Sequence, residues 1–353
     1  MIVYFSLLTF VFLCSLTIKR NRILNNTIFF LILVAMVLVS GLRDVNVGSD
    51  SPNYVLIFNK TNTLNDIFNQ TMEPGYLAIA WLAKQFGDNY IWLFFFTGLI
   101  SVAGLIGGVK KYSLSPNLSF FFMITTGYYT FFFNGARQGL ALAITFFTIG
   151  AFYEGKFKRL LFIVILASFF HITALVLIPA YFLVRRGFSF KILVYIFAIS
   201  AVSSSFLNEL FSLAGNVDDR FSKYVGYNKA SGMLTAIYNL AIASYFVFMY
   251  RFIKVNTQIY SVLLNLFLVG VSISIFAVIN GLGASGIARL SIYFTISSIL
   301  IWPIIFQNTN SDKNKALLLF AVLTFYLAYF YLTTINFSDL VPYKVNPIIE
   351  SFI

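Results

Sequence analysis

Apolar runs of roughly 20 residues recur along most of the 353-residue chain and are separated by short polar segments. An α-helix needs about 20 apolar residues to cross a bilayer, so this pattern predicts a polytopic membrane protein. Charged residues make up 10% of the chain, whereas a soluble domain carries about 25%. A soluble globular fold is excluded, because one core of this size would not bury so much apolar surface.

The predicted spans follow from the positions of the apolar runs. We expect an all-α fold of about ten transmembrane helices that form a single transmembrane domain over residues 1–353. These helices cover 2–18, 27–42, 90–109, 117–134, 138–153, 191–207, 234–252, 258–280, 288–306 and 316–335. The largest outer segments are then 43–89, 208–233 and 336–353.

Two further segments do not fit a simple span. The first is short and contains Lys84, which predicts an interfacial helix at 73–88. The second, at 160–184, is long and contains His171 and Pro179, which predicts a re-entrant or broken hairpin.

The distribution of Lys and Arg predicts the orientation. If the hairpin returns to its starting side, one side of the membrane holds fifteen of the 24 Lys and Arg residues and two of the twelve Asp and Glu residues. The positive-inside rule makes this side cytoplasmic, and it explains the formal charge of +12 without nucleic acid as a partner. The first apolar run precedes its positive charges, so we expect a retained span with the N-terminus outside rather than a cleaved signal.

The chain has one Cys and one His, Cys14 and His171. This count excludes an internal disulfide and a His/Cys metal site. The acidic run at 218–220 is Asp-Asp-Arg rather than the Asp-x-Asp of metal-dependent glycosyltransferases. We therefore expect no metal and no other cofactor.

Four arginines lie on the side that the positive-inside rule disfavours. Arg43, Arg137 and Arg289 each stand where a predicted span meets the outer surface, and the fourth, Arg220, lies in an outer loop. Ionisable groups at membrane depth are costly. They either snorkel to lipid phosphate or pair with a local acid, as Arg43 would with Asp44, or they bind a ligand. Because Arg137 and Arg289 follow small residues at helix N-termini, they predict a receptor for phosphate or diphosphate.

The same side carries an imidazole, carboxylates and tyrosines. His171 is either a structural residue that bonds a backbone carbonyl, or a base or orienting group near a sugar hydroxyl. Glu73 begins the short helix of the EPGY motif, where it either caps the helix dipole or binds substrate. Asp50 is a second candidate base. Tyr54 and Tyr224 either stack on sugars or lie at the membrane interface, as many tyrosines do.

Five motifs follow one another along the chain. They are GLRDVNVGSDSPNYVLIFN (41–59), EPGY (73–76), NGARQGLALAI (134–144), FFHITALVLIP (169–179) and ARLSIYF (288–294). In this order and spacing they resemble the EpsG-type family of Wzy polysaccharide polymerases. The first half of the chain carries most of the resemblance, whereas the region 191–285 matches in hydropathy alone.

The resemblance implies a multi-pass enzyme of the bacterial inner membrane, similar to the glycosyltransferase-C class, with its active site facing the periplasm. It would join oligosaccharide repeat units carried on undecaprenyl diphosphate into O-antigen, capsule or exopolysaccharide. The lipid-linked oligosaccharide would be both donor and acceptor, in contact with membrane lipid. A chain-length regulator and a flippase would be candidate partners.

The resemblance also gives the polar residues expected roles. Arg137 and Arg289 would stabilise the leaving diphosphate, and His171 or Asp50 would accept the proton of the acceptor hydroxyl. The expected substrate-binding residues are Arg43, Asp44, Tyr54, Glu73, Gln138, Arg220 and Tyr224. Three alternatives are an O-antigen ligase-like glycosyltransferase, a flippase or other transporter of lipid-linked oligosaccharide, and a membrane acyltransferase. The clustering of unusual arginines at one rim favours chemistry there over transport through the midplane.

Overall fold

The computed structural model describes residues 1–18, 22–205, 232–281, 287–309 and 312–351. Within these ranges the chain is helical and forms no strand, and one isolated antiparallel bridge joins Arg43 to Val345. The all-α expectation is therefore confirmed for the described residues. Six helical segments among them are long and apolar enough to cross a membrane: Ile23–Gly41, Ile91–Tyr112, Met233–Tyr250, Thr257–Ile279, Ala288–Asn308 and Asp312–Asn336. The count of about ten helices stays a prediction.

The helices, in chain order, are α1 (Ile2–Leu16), α2 (Arg22–Gly41), α3 (Ser51–Lys60), α4 (Asp66–Asn69), α5 (Pro74–Lys84), α6 (Ile91–Tyr112), α7 (Pro116–Thr125), α8 (Phe131–Asn134), α9 (Ala136–Thr145), α10 (Thr148–Glu154), α11 (Phe157–Ser168), α12 (Leu177–Val184), α13 (Phe190–Ser205), α14 (Met233–Tyr250), α15 (Thr257–Ile279), α16 (Ile292–Thr295), α17 (Ser298–Asn308), α18 (Asp312–Asn336) and α19 (Pro347–Glu350). Two 3₁₀ turns cover Ile172–Val176 and Ile287–Ser291.

Contacts between residues divide the chain into two compact units. The first comprises Met1–Thr148, Leu161–Leu175 and Thr309–Ile353, and the second comprises Ile149–Leu160 and Val176–Asn308. That the two units form a single transmembrane domain stays a prediction.

In the first unit, α18 has the surface of a helix that faces lipid. Its buried residues, Val322, Tyr326, Phe330 and Thr334, recur at every fourth position and form one narrow stripe. The rest of the helix exposes apolar side chains such as Phe320. A helix that is apolar all round and only narrowly buried suits a membrane.

Small residues on α6 bring α2 and α9 close to it. Gly98 of α6 lies against Ser40 of α2, and Gly104 lies against Ala143 of α9. A Cβ placed on Gly104 would come within 2.8 Å of the Ala143 Cβ. Such close approach is typical of packing between membrane helices, and here it holds α9, which carries a candidate site residue at its start.

Two predicted spans are interrupted. The run predicted over 117–134 divides into α7 and α8, and the run predicted over 138–153 divides into α9 and α10. At the end of α7, the hydroxyls of Thr125 and Thr126 bond to carbonyls of the preceding turn, and Gly127 adopts a φ of 81° that favours glycine. Hydropathy does not reveal such breaks, because surrounding protein rather than lipid covers the freed backbone groups.

The two irregular segments are also present. The predicted short helix forms as α5, and its interfacial location stays a prediction. The segment 160–184 is broken, because α11 ends at Ser168 and the first 3₁₀ turn begins at Ile172, which leaves His171 at the break. The return of this segment to its starting side stays a prediction.

In the second unit, α15 is the most buried long helix of the described ranges apart from the stretch 288–308. Its Asn265 donates hydrogen bonds to the carbonyls of Val184 (3.2 Å) and Arg186 (2.8 Å). These bonds give partners to carbonyl groups at and just after the end of α12. Gly270 lets α16 approach, since a Cβ there would lie 2.7 Å from a Thr295 methyl group.

Candidate functional site

Glu73 brings together two of the side chains singled out from the sequence. Its Oε1 lies 2.9 Å from Nδ1 of His171, and its Oε2 forms an ion pair with Nη1 of Arg137. The Glu73 side chain is 9% exposed, whereas those of His171 and Arg137 are 20% and 21% exposed. These three residues of the first unit, here called the Glu73 cluster, therefore place a buried carboxylate behind two partly accessible groups.

The start of α5 fixes the position of Glu73. Pro74 occupies the first helical position, where its missing N–H is no loss. The Gly75 N–H donates to the Phe169 carbonyl at 2.8 Å, and a Cβ at Gly75 would lie 2.7 Å from that oxygen. Glycine is therefore required for a backbone contact that holds Glu73 next to His171.

The electrostatics of Glu73 follow from its two partners. Glu73 is the N-cap of α5, but its side chain makes no bond to that helix, so it is not used for capping. Burial raises the pKa of the Glu73 carboxyl, but the hydrogen bond with His171 and the charge of Arg137 outweigh burial and hold the pKa at about 2. Glu73 is therefore a carboxylate at neutral pH.

Arg137 projects from the first turn of α9. The neighbouring Ala136 N–H donates to the Tyr54 hydroxyl at 3.0 Å, which satisfies one of the free donors of this helix start. The Tyr54 ring lies against the Tyr76 ring of α5, with centroids 5.5 Å apart. Buried tyrosines thus join the two helices that carry Arg137 and Glu73.

The loop 43–50 folds against the junction between α8 and α9. Asn134 accepts hydrogen bonds from the Ser49 hydroxyl (3.0 Å) and from the backbone N–H that follows it (3.4 Å), and it donates to the Ser338 carbonyl (3.2 Å). Gly48 has a φ of 103°, which favours glycine, and its N–H donates to a carbonyl of the C-terminal segment at 2.9 Å. The loop therefore supports the start of α9.

Arg43 lies inside this support and is 1% exposed. Its Nη1 donates to the Ser40 carbonyl and its Nε to the Val47 carbonyl at 3.3 Å. The rings of Phe94 and Phe133 enclose the guanidinium, with centroids 3.8 and 4.3 Å from Cζ. Burial lowers the pKa of Arg43 to about 10, so the side chain stays cationic at neutral pH. Through these contacts Arg43 supports the loop, and its predicted contact with diphosphate stays a prediction.

Two other predicted substrate-binding residues are also enclosed. Asp44 is 7% exposed, and its carboxylate accepts two hydrogen bonds from Asn46. Tyr54 is 7% exposed and bonds to the start of α9. The predicted substrate contacts of these two residues stay predictions, as do the roles of the half-buried Asp50 and the buried Gln138.

The remaining predicted residues lie elsewhere. Arg289 belongs to the second unit, in the 3₁₀ turn Ile287–Ser291 at the start of a candidate span. Arg220 and Tyr224 lie outside the described residues. The roles of all three stay predictions. In the described ranges no three His, Cys, Asp or Glu side chains gather as metal ligands, and independence of metal also stays a prediction.

Two polar atoms of this region have no hydrogen-bond partner within the described ranges. They are Nε of Arg137 and the hydroxyl of Tyr76, and both are buried.

Tyr76 and Asn134 are not among the residues predicted from the sequence, although both stand in the quoted motifs. Their position in the sequence could have identified them, because each lies within three residues of a charged residue of the Glu73 cluster.

The family model described as EpsG family matches residues 26–345. The chain belongs to the EpsG family. The match covers all three residues of the Glu73 cluster, and the resemblance seen in the five motifs is confirmed. The amylovoran biosynthesis protein AmsC of Erwinia amylovora is 23% identical over 385 residues, which cover 99% of this chain and 98% of AmsC. No solved structure matches the chain.

Membership of the EpsG family agrees with the helical architecture. The six candidate spans of the described ranges make this family member a multi-pass membrane protein. The family match covers the motif residues Arg137 and His171, which meet at the carboxylate of Glu73 in the first unit.

Proposed function

We propose that the chain is a polysaccharide polymerase, a membrane glycosyltransferase that joins oligosaccharide repeat units carried on undecaprenyl diphosphate. The product is O-antigen, capsule or exopolysaccharide, and the reaction takes place at the periplasmic face of the bacterial inner membrane without a metal ion. Support comes from membership of the EpsG family and from the relative that is named for amylovoran biosynthesis.

The meeting of Arg137 and His171 at Glu73 is the observation that carries the proposal. Both side chains are about one-fifth exposed, whereas the carboxylate that they share is 9% exposed. A guanidinium suits an oxygen of a diphosphate. An imidazole suits a proton that leaves a sugar hydroxyl near neutral pH.

The proposed reaction forms one bond and breaks one. The acceptor hydroxyl oxygen bonds to the anomeric carbon of the donor sugar, and the bond from that carbon to the diphosphate oxygen breaks. The acceptor proton passes to His171 or Asp50, and the diphosphate leaves with the bonding electron pair. Arg137, joined by Arg289, stabilises the charge on the leaving oxygens, a contribution of about 3 kcal/mol for each well-placed donor.

The proposal also includes further residues predicted to bind substrate. Gln138 and, from the predicted outer segment 208–233, Arg220 and Tyr224 would contact the donor or acceptor glycan. A chain-length regulator and a flippase would act with the polymerase as partners.

Deletion of the gene, followed by electrophoresis of the surface glycan, tests the class of enzyme. We expect the ladder to collapse to a single repeat unit that accumulates outside the cytoplasm. Repeat units that accumulate inside would indicate a flippase instead. Long polymer that stays on the carrier lipid would indicate a ligase.

Complementation with variants tests the residues. Arg137→Ala and His171→Ala should fail to restore the ladder although the protein is present in the membrane. Arg159→Ala is the matched control, because Arg159 also pairs with a glutamate, Glu154, but does so at an exposed site. Arg289→Ala tests whether the second unit contributes a cation. Long polymer made by Arg137→Ala would refute the diphosphate assignment.

A further inference from the structure

We propose that Glu73 is a positioning residue that sets the proton on His171: the carboxylate holds Nδ1–H, and Nε2 is thereby left as the base for the acceptor hydroxyl. This inference rests on the proposed function and decides between the two candidate bases in favour of His171. It also replaces the predicted contact of Glu73 with substrate.

The geometry at Glu73 fixes the position of one proton of His171. An ionised carboxylate only accepts hydrogen bonds, so the imidazole nitrogen at 2.9 Å from Oε1 carries the proton. The other oxygen, Oε2, is bound to Arg137. In a neutral imidazole the second nitrogen then has the free electron pair. Within the described ranges the hydrogen bond of the imidazole is made by Nδ1, and the His171 side chain is 20% exposed.

The backbone makes this arrangement rigid. Gly75 lies two residues after Glu73, Phe169 lies two residues before His171, and the Gly75 N–H donates to the Phe169 carbonyl at 2.8 Å. The two side chains therefore project from chain segments that are themselves bonded to each other. Glu73 keeps its carboxylate away from its own helix, which bears no side-chain cap. A base held by a second group in this way is better oriented for proton transfer.

Among the described residues of the first unit, the charged partner of His171 is Glu73, and Arg137 binds the same carboxylate. Asp50 is held differently: it lies in the loop 43–50, and its backbone N–H donates a hydrogen bond to the Asn134 side chain. A single carboxylate thus orients the imidazole and the guanidinium together, so one residue controls the separation between proton acceptor and leaving-group cation.

The single histidine of the chain permits a direct spectroscopic test. Protein labelled with ¹⁵N-histidine and placed in lipid nanodiscs gives imidazole signals from His171 alone. At neutral pH we expect the wild type to show a protonated Nδ1 and an unprotonated Nε2. Glu73→Ala should shift the population towards the tautomer protonated at Nε2. Glu73→Gln should shift it in the same direction, because Arg137 can only donate and takes the amide oxygen, which leaves the amide NH2 to donate to Nδ1.

Asp88→Ala is the matched control, because it removes a carboxylate of the same unit that pairs with Lys84 and is 94% exposed. Its His171 signals should equal those of the wild type. A wild-type spectrum with an unprotonated Nδ1, or a Glu73→Ala spectrum unchanged from the wild type, would overturn the proposal. The wild-type spectrum gives this answer even if Glu73→Ala fails to fold.

Polymerisation in vitro supplies the second readout, with repeat units isolated on their carrier lipid from the deletion strain. Glu73→Ala should lower kcat by at least about 100-fold with a KM within about threefold of the wild type. Glu73→Gln should lower kcat by a comparable factor, because its amide leaves the proton of His171 on Nε2. Equal kcat in Glu73→Ala and the wild type would overturn the positioning role.

The two readouts separate the two proposals. A wild-type protein with the expected tautomer that does not extend the repeat units contradicts the proposed function and leaves the proton assignment intact. A wild-type protein that polymerises but lacks the expected tautomer contradicts the positioning role alone.

Discussion

Replacing Arg43 with methionine tests whether this residue supports the fold or binds substrate. Methionine keeps a long side chain but removes the donors to the Ser40 and Val47 carbonyls and the cation between Phe94 and Phe133. Each carbonyl left unpaired costs about 1–3 kcal/mol, and each desolvated cation–π contact contributes about 2 kcal/mol. Loss of the buried guanidinium also removes its desolvation cost. We therefore expect a net loss of about 2–4 kcal/mol in the free energy of unfolding of the first unit.

The assay is thermal unfolding of the purified protein in lipid nanodiscs, followed by tryptophan fluorescence. For a unit of roughly 200 residues, the expected loss corresponds to a fall of about 5–15 °C in the apparent Tm. Arg43→Lys should fall between the wild type and Arg43→Met, because it keeps the charge but not the planar fork of donors. Arg159→Met is the control, since its exposed ion pair contributes less than about 1 kcal/mol.

Kinetics complete the test of Arg43. The folded fraction of Arg43→Met should bind lipid-linked repeat units with a KM within about threefold of the wild type. An apparent Tm equal to that of the wild type, together with a KM raised by ten times or more, on the order of 1.4 kcal/mol of lost binding, would refute the supporting role. Arg43 would then belong with Arg137 as a ligand of the diphosphate.

Three further predictions concern the support of the site. Gly75→Ala should push the Phe169 carbonyl away, lower the free energy of unfolding by about 1–3 kcal/mol and abolish polymer in the ladder assay. Gly187→Ala is the control, because a Cβ there would meet no atom within 4 Å, and it should leave the ladder and the Tm unchanged. Asn134→Ala should lower the free energy of unfolding by about 2 kcal/mol, measured as a lower Tm, because three hydrogen bonds are lost. Burial raises the pKa of Glu73, but its partners His171 and Arg137 hold the folded-state pKa at about 2, below the ordinary 4.5. The stabilisation by Glu73 is therefore present above about pH 4.5 and is lost as the pH falls towards 2. This loss is on the order of 3 kcal/mol, and Tm measured against pH should show a shallower acid decline in Glu73→Gln; equal declines would contradict it.

The sequence predicts much of the fold because lipid imposes a simple rule. Apolar length alone identifies the six candidate spans of the described ranges, and Lys84, His171 and Pro179 mark the two irregular segments. The rule fails at 117–134 and 138–153. There, other parts of the protein rather than lipid surround the chain. They can form hydrogen bonds with the backbone N–H and C=O groups of a turn, which lipid cannot do.

The site is predicted residue by residue but not as an arrangement. Glu73, Arg137 and His171 each stand out, because each is an ionisable group next to an apolar run. Their contact joins positions 64 and 98 residues apart, and no local pattern encodes such a contact. Arg43 shows the opposite limit. An arginine at the end of a span is equally expected to bind a ligand or to be buried against aromatic rings. The contact of Arg43 with Phe94 and Phe133 is seen in the structure and not in the sequence.

The charge of the Glu73 cluster links the two proposed roles. In the proposed mechanism Nε2 of His171 has a free electron pair before the proton transfer, so the cation of Arg137 and the carboxylate of Glu73 balance each other and the cluster has no net charge. When the acceptor proton reaches Nε2, the new imidazolium is stabilised by Glu73 at 2.9 Å, and the cluster becomes positive. Negative charge develops on the leaving diphosphate in the same step. On the proposed function, the positive charge therefore appears when the leaving group needs it, whereas a permanently positive site would also stabilise the bound substrate and gain less in rate. This reasoning predicts that Glu73→Gln, which makes the cluster permanently positive, lowers both KM and kcat for the lipid-linked substrate. A raised KM in that variant would show instead that Glu73 itself contacts the substrate.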